Sequence, residues 1–157
     1  MRGGTRRILA LLAVLPLSGC SGFRAPGITV QDVAITDVTG EALALDFAID
    51  LENPNHEPLE LVEFRYTLAV DGTQVYAGRR RPGANVAAAT TRRISLPAVI
   101  PFDRAGWTTA GRPAEVKYAL SGRVVYTAPT TFAQMLFDLG VRRPKSSFSG
   151  RGRLDLD

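Results

Sequence analysis

The chain has 157 residues, a formal net charge of +4, a single cysteine, 45% hydrophobic residues and 22% charged ones. That length argues against a multidomain assembly, one cysteine excludes an internal disulfide framework, and the mixed composition excludes a disordered or collagen-like polymer. The modest positive charge gives little support to a nucleic-acid partner, and none is expected.

In chain order, Arg2, Arg6 and Arg7 precede an apolar run of ten residues, Ile8 to Leu17. A transmembrane helix needs roughly 20. A positive flank, a short apolar core and small residues beyond it read as an export signal. Leu17-Ser18-Gly19-Cys20 follows. This resembles the bacterial lipobox, which implies cleavage between Gly19 and Cys20 and lipidation of Cys20. The competing readings are a free thiol after an ordinary secretory signal, or an uncleaved anchor. A lone cysteine in an exported chain needs an explanation, and acylation supplies one. Several acyl chains on one residue make a stable anchor. Residues 1–19 are therefore read as a lipoprotein signal peptide, 20–27 as a tether and 28–157 as one folded domain. Cys20 is followed by Ser21, which favours the outer membrane, with the domain in the periplasm.

Removing residues 1–19 also removes three arginines, so the mature chain carries about +1. Its charge is unevenly spread. Cys20 to Asp71 holds ten acids and two bases, whereas Gly72 to Asp157 holds fourteen bases and five acids. Two readings fit: acidic and basic strands paired within one sheet, or a dipolar surface that binds an anion at one end.

Beyond the tether the dominant period is two. Ile28, Val30, Val33 and Ile35 predict a first strand with a register break near Gln31-Asp32. In Glu41 to Glu52, Leu43, Leu45, Phe47, Ile49 and Leu51 point one way, and Ala44, Asp46, Ala48, Asp50 and Glu52 the other. Asn53-Pro54-Asn55 ends that strand, because proline lacks a donor and asparagine tolerates turns. Leu61 to Val70 resumes, with Val62, Phe64, Tyr66, Leu68 and Val70 predicted inward and Glu63, Arg65 and Thr67 outward. Asp71-Gly72 predicts a hairpin returning through Val75 to Gly78. Arg79 to Gly83 reads as a charged loop, and Thr91 to Val99 as a strand closed by Pro101. Asp103 is predicted to cap a helix through Ala110, ended by Gly111 and Pro113. Glu115 to Thr127 alternates again. Phe132, Leu136 and Leu139 predict a short helix over Thr131–Leu139, and Phe148 to Leu156 a final strand. About seven short strands indicate an all-β, two-sheet antiparallel β-sandwich with one or two short helices.

The strand Ala42–Leu51, the Asn53-Pro54-Asn55 turn, the Asp71-Gly72 hairpin, the small-residue stretch Gly83–Thr91, Ile94-Ser95-Leu96-Pro97 and the Tyr118-x-Leu120-Ser121-Gly122 strand occur in an informative order. Together they resemble the group-2 late embryogenesis abundant domain, also called the water stress and hypersensitive response (WHy) domain, over most of residues 28–127. The resemblance implies a sandwich similar to fibronectin type III and immunoglobulin folds, a role in tolerating desiccation, and no catalytic residues. Thr131–Leu139 and Arg142-Arg143-Pro144-Lys145 depart from the family pattern.

The residues themselves offer little chemistry. His56 is the only histidine and sits in a turn beside Glu57 and Pro58, so a transition-metal site lacks its usual ligands. Asp46, Asp50 and Glu52 share a strand face as Ca²⁺ ligands do, but without a compact carboxylate loop they read as a solvated face. Nothing around Ser95, Ser121 or Ser146 resembles a nucleophile elbow. Trp107 and the four tyrosines read as core or rim. No catalytic residue, metal or cofactor is expected. Arg79, Arg80, Arg81, Arg92 and Arg93, with Arg142–Lys145, are read either as a patch for an anion or partner, or as solvated charge that blunts strand edges. Asn53, Pro54 and Asn55 are read as a structural turn or a contact loop. The expected function is a non-catalytic, membrane-anchored stress-protection domain. It would act on client proteins or on the membrane surface. The alternative is an envelope assembly module that docks a protein or anionic lipid headgroups through its basic loops.

Overall fold

A computed structural model describes residues 23–108, 110–127, 138 and 143–156. The signal segment, Cys20 and Arg142 lie outside the described residues, as does all of Thr131–Leu139 except Asp138. The described residues form β1 (Gly27–Val38), β2 (Ala42–Asn53), β3 (Leu59–Val70), β4 (Thr73–Arg80), β5 (Ala84–Val86), β6 (Thr90–Pro101), α1 (Phe102–Ala105), β7 (Glu115–Thr127) and β8 (Lys145–Asp155). All pairings are antiparallel. One sheet has the order β1-β2-β6, and the other β4-β3-β7-β8, with β5 also on β3. The two sheets close as an all-β sandwich.

The core follows from period-two alternation. β2 is the middle strand of its sheet, and Leu43, Leu45, Phe47, Ile49 and Leu51 are all buried. Burying five such side chains is worth on the order of 10 kcal/mol in transfer free energy. A slip of one residue would bring Asp46, Asp50 and Glu52 inward instead, so this face fixes the register. Across the interface, Phe47 meets Tyr118 edge-on at 5.5 Å, and within the second sheet Phe64 meets Phe148 at 6.2 Å. The register break predicted in β1 lies between Val30 and Asp32.

Two turns follow their sequence signals. Asp71 and Gly72 both have positive φ (47° and 86°), the backbone of a two-residue hairpin turn whose twist matches its strands. Asp71 Oδ1 also accepts the Lys117 N–H at 3.0 Å, tying the hairpin tip to β7.

Four details depart from the sequence reading. β3 contains a bulge between Leu61 and Glu63. Inward parity therefore runs Leu59, Leu61, Phe64 and Tyr66, and Val62 is only half-buried. Arg79 and Arg80 belong to β4, because the hairpin ladder extends through Arg65 with Arg79 and Phe64 with Arg80. The short β5 is an eighth strand where seven were read, laid against Leu59–Leu61. Finally, α1 ends at Ala105 because Gly106 turns left-handed (φ 73°) and sends its N–H back to Asp103 O. Pro101 is the residue before the helix. Asp103 lies inside the first turn, where its carboxylate accepts the Arg104 N–H at 2.8 Å.

The two sheets touch closely at the β1/β8 edge. A Cβ on Gly150 would lie 2.6 Å from Val30 Cβ, so only a residue without a side chain lets β1 pack there. Phe23, the first described residue, stacks its ring on Tyr126 at 5.9 Å. The buried hydrophobic core among the described residues runs from Leu43 to Leu156, so a chain starting at Ser21 keeps all of it. Gly150→Val should overpack this contact and destabilise the domain by about 1–3 kcal/mol, read as a lower midpoint in urea unfolding.

Candidate functional site

Two polar features stand out on the finished fold: a buried asparagine hub at one end, and two outer sheet faces of opposite charge.

Asn53 closes β2 and is fully buried. Pro54 forces the chain out of the strand, and the two asparagine side chains take up the backbone groups this frees. Asn53 Nδ2 donates to Glu57 O at 2.8 Å, Ala87 O at 3.1 Å and Val86 O at 3.3 Å. Its Oδ1 accepts from Asn55 N at 3.1 Å and Asn55 Nδ2 at 2.9 Å. Asn55 makes a reciprocal pair with Arg24. Its Nδ2 donates to Arg24 O, and its Oδ1 accepts the Arg24 N–H, both at 2.8 Å. Asn55 O accepts the Ala89 N–H at 2.9 Å. Two carboxamides thus join the start of the domain, the β2–β3 turn, β5 and the β5–β6 turn. His56, between Asn55 and Glu57, is exposed.

The five arginines singled out in the sequence do not form one patch. Arg93 pairs bidentately with Asp50 across β6 and β2, at 2.8 and 3.0 Å. That carboxyl is held below its usual range, first by the hydrogen bond from Arg93. Arg92 donates to Asn85 O at 2.7 Å. Arg80 donates to Ser95 O on the outer edge of β6, and the Tyr66 hydroxyl donates to Pro97 O on the same edge. Burial, and secondarily Tyr76, push the Tyr66 hydroxyl well above the usual phenol range. Only Arg79 and Arg81 stay together on the outer face of the five-stranded sheet, gathered with Arg65 around Glu63. Arg65 hydrogen-bonds Glu63 directly, and Arg79 and Arg81 lie 3.8 and 3.6 Å from it. Glu63 is covered rather than solvated, 5% exposed. The Arg65 hydrogen bond, then the nearby arginine charges, hold its carboxyl below the usual value of 4.5.

Alternation in β7 and β8 adds bases that the sequence reading did not assemble. Lys117, Arg123, Lys145, Arg151 and Arg153 are exposed and alternate with inward Val116, Leu120, Val124, Phe148 and Leu154. With Arg65, Arg79 and Arg81 they put eight bases on this outer face, against Glu60, Glu63, Glu115 and Asp155. The outer face of the three-stranded sheet carries Asp32, Asp37, Asp46, Asp50 and Glu52 against Arg93. Among the described residues, ion pairs between strands join Arg93 to Asp50, Arg153 to Glu115 and Arg79 to Glu63, but most charge is sorted by face. Of the two arrangements the sequence left open, the dipolar one dominates.

Two shallow concavities lie among the described residues. One of about 380 Å³ lies among Gly72, Lys117, Ala119, Arg151 and Arg153, and another of about 560 Å³ among Glu41, Pro101, Phe102, Asp103 and Trp107. Among the described residues no group of three or more His, Cys, Asp or Glu side chains gathers as metal ligands do. No helix among them is long and apolar enough to cross a membrane.

Fold, hub and faces together define a small antiparallel β-sandwich domain with a tied end and two polar faces. The chain belongs to the late embryogenesis abundant protein family, whose model matches residues 48–139. That stretch runs from the middle of β2 through all of β3 to β7, and membership carries a stress-related role in a generally non-enzymatic family. No curated protein sequence matches the chain. The fold is similar to the solution structure of AT1g01470 from Arabidopsis thaliana, with a TM-score of 0.63 and 19% identity, covering 88% of this chain and 89% of that one. It is also similar to the solution structure of At2g46140.1, assigned as a late embryogenesis abundant protein, with a TM-score of 0.61 and 16% identity, covering 84% and 71%. A protein from Archaeoglobus fulgidus aligns with a TM-score of 0.55 and 13% identity, covering 82% and 98%. At these identities the likeness is one of fold.

Asn53→Ala should destabilise the domain by about 2–4 kcal/mol, because buried carbonyls lose their donor at a cost of about 1–3 kcal/mol each; chemical unfolding measures this. Glu63 gives a pH test. Its folded-state pKa is depressed, so its stabilisation is present above the unfolded value of 4.5 and is lost as pH falls through the lower folded value. The wild type should exceed Glu63→Gln in stability at neutral pH, and the two should converge on acidification. Parallel unfolding curves across that range check it.

Proposed function

We propose that this chain is a membrane-anchored lipoprotein of the cell envelope, of the water stress and hypersensitive response branch of its family. Its sandwich protects neighbouring proteins or the membrane surface as water is lost. The family match over residues 48–139 carries this reading, and the lipobox-like Leu17-Ser18-Gly19-Cys20 supplies the anchor. Acylated Cys20 would hold the domain at the outer membrane, facing the periplasm. Only Ser21 and Gly22 separate Cys20 from packed Phe23, and three residues of chain reach about 10 Å.

Protection by such a domain needs no bound substrate. Its exposed faces are lined by charged, hydroxyl and small side chains, and these supply hydrogen bonds to a client surface as water leaves. No residue is assigned a catalytic role. The second reading, an envelope module docking a protein or anionic lipid, draws on the basic outer face of the five-stranded sheet.

Labelled fatty acid fed to producing cells should enter the wild-type chain and leave Cys20→Ser unlabelled and released from the membrane fraction. The mature domain should also slow aggregation of a client enzyme through drying. If an equal mass of an unrelated sandwich protects as well, the stress-protection reading fails. If Cys20→Ser stays labelled, the anchor reading fails.

A further inference from the structure

We propose that the outer face of the five-stranded sheet is a docking surface for the phosphate-bearing headgroups of anionic phospholipids. This deepens the membrane-surface reading above, and it moves the contact from the loops to a sheet face.

The register is the main observation. Arg79 on β4, Arg65 on β3 and Arg123 on β7 are direct cross-strand partners in one row. Adjacent strands are about 4.8 Å apart, so the backbones carrying the three arginines span about 10 Å. Lys117 is likewise opposite Arg153. Like charges directly opposite destabilise a sheet. Glu63 offsets the repulsion around Arg65 and Arg79, and Glu115 offsets Arg153. Arg123 and Arg151 have no ion pair among the described residues. An external anion relieves what remains, and the arginine fork matches the oxygens of a phosphate.

Shape and orientation agree. The next row along the face is Ala77, Thr67, Ser121 and Ser149. These short side chains let a flat surface approach the sheet. The opposite outer face is acidic, so an anionic layer attracts one side of the domain and repels the other, which selects one orientation. The tether enters beside this face: Ser146 Oγ donates to Pro26 O at 2.9 Å, next to Lys145 at the start of β8.

The acidic face of a second copy is a weaker match. Four of its five carboxylates are already engaged within the chain. Asp50 pairs with Arg93, Asp46 accepts from Ser95, and Asp32 and Asp37 accept backbone N–H groups at 2.8 and 2.9 Å. A phospholipid layer has no such internal partners.

The test uses the chain from Ser21 onward, which keeps the whole described core and has no thiol to acylate, so its outcome is independent of Cys20. It is sedimented with vesicles of phosphatidylcholine alone, and of phosphatidylcholine with an equal share of phosphatidylglycerol. Binding is expected only to the mixed vesicles, and it should weaken as salt rises. Arg123→Ser combined with Arg151→Ser should lower the partition coefficient about 25-fold, at about fivefold per charge. Arg104→Ser, off this face in α1, should lower it by less than about twofold. Circular dichroism checks the fold of each variant. Equal binding to both vesicles, or an equal loss per charge in Arg104→Ser, overturns the proposal. So does self-association that needs Arg123 and Arg151 without any lipid binding, which would make a second copy the occupant.

Discussion

A strand in a two-layer sandwich must send alternate side chains inward, and this single constraint determines both the core and the surface charge of the domain. β2 shows it most plainly. Its five large apolar residues are buried, which obliges Asp46, Asp50 and Glu52 to stand on the other side. β7 and β8 obey the same rule with the opposite sign, because their outward positions hold lysine and arginine. The dipole across the sandwich is therefore not a separate feature laid over the fold. It is the complement of the core pattern, and any register slip that spoiled one would spoil the other.

Where alternation cannot satisfy the backbone, individual side chains do. The exposed edge of β6 presents carbonyls to the gap beside β4. Arg80 and Tyr66 reach across from the other sheet to Ser95 O and Pro97 O, and Pro97 itself offers no N–H for a further strand. These contacts join the two sheets at one margin, as Val30 over Gly150 does at the other. At the end of the molecule the Asn53 carboxamide plays the same part for the Glu57, Val86 and Ala87 carbonyls. The Asn53 and Asn55 side chains of the Asn-Pro-Asn sequence thus bond to backbone groups on four segments of the chain.

Much of this was legible in the sequence wherever the period was uninterrupted. The β2 face, the Asp71-Gly72 turn and the β7 strand need only alternation and turn chemistry. The failures share a physical cause: one residue changes parity or ends an element early. The bulge at Val62 moves the inward register from odd to even positions, while Glu63 stays on the outer face and is covered there by three arginines. Gly106 stops α1 five residues before the Gly111 that looked like its end. β5 is three residues long and is held by pairing with β3, a long-range contact that no local pattern announces. The charged faces were harder still. Arg79–Arg81 are adjacent in sequence and so drew attention, yet alternation sends Arg80 away from its neighbours. The row Arg79–Arg65–Arg123 is scattered over 59 positions of chain and becomes visible only through strand register.

That row also bears on what kind of protein this sequence encodes. Among the described residues, Glu63 is perturbed by its arginines, Asp50 by Arg93 and Tyr66 by burial, at separate places on the fold. The unspent interaction capacity lies instead on broad exposed faces. Surfaces of that kind act by covering another surface, with many weak contacts whose strength depends on water and salt. Under the proposed docking, each charge–phosphate contact would strengthen as water leaves, because it would be less screened by solvent. The same sorting of charge that follows from the core pattern gives the domain one basic outer face and one acidic one, and the proposed docking to an anionic layer draws on that difference.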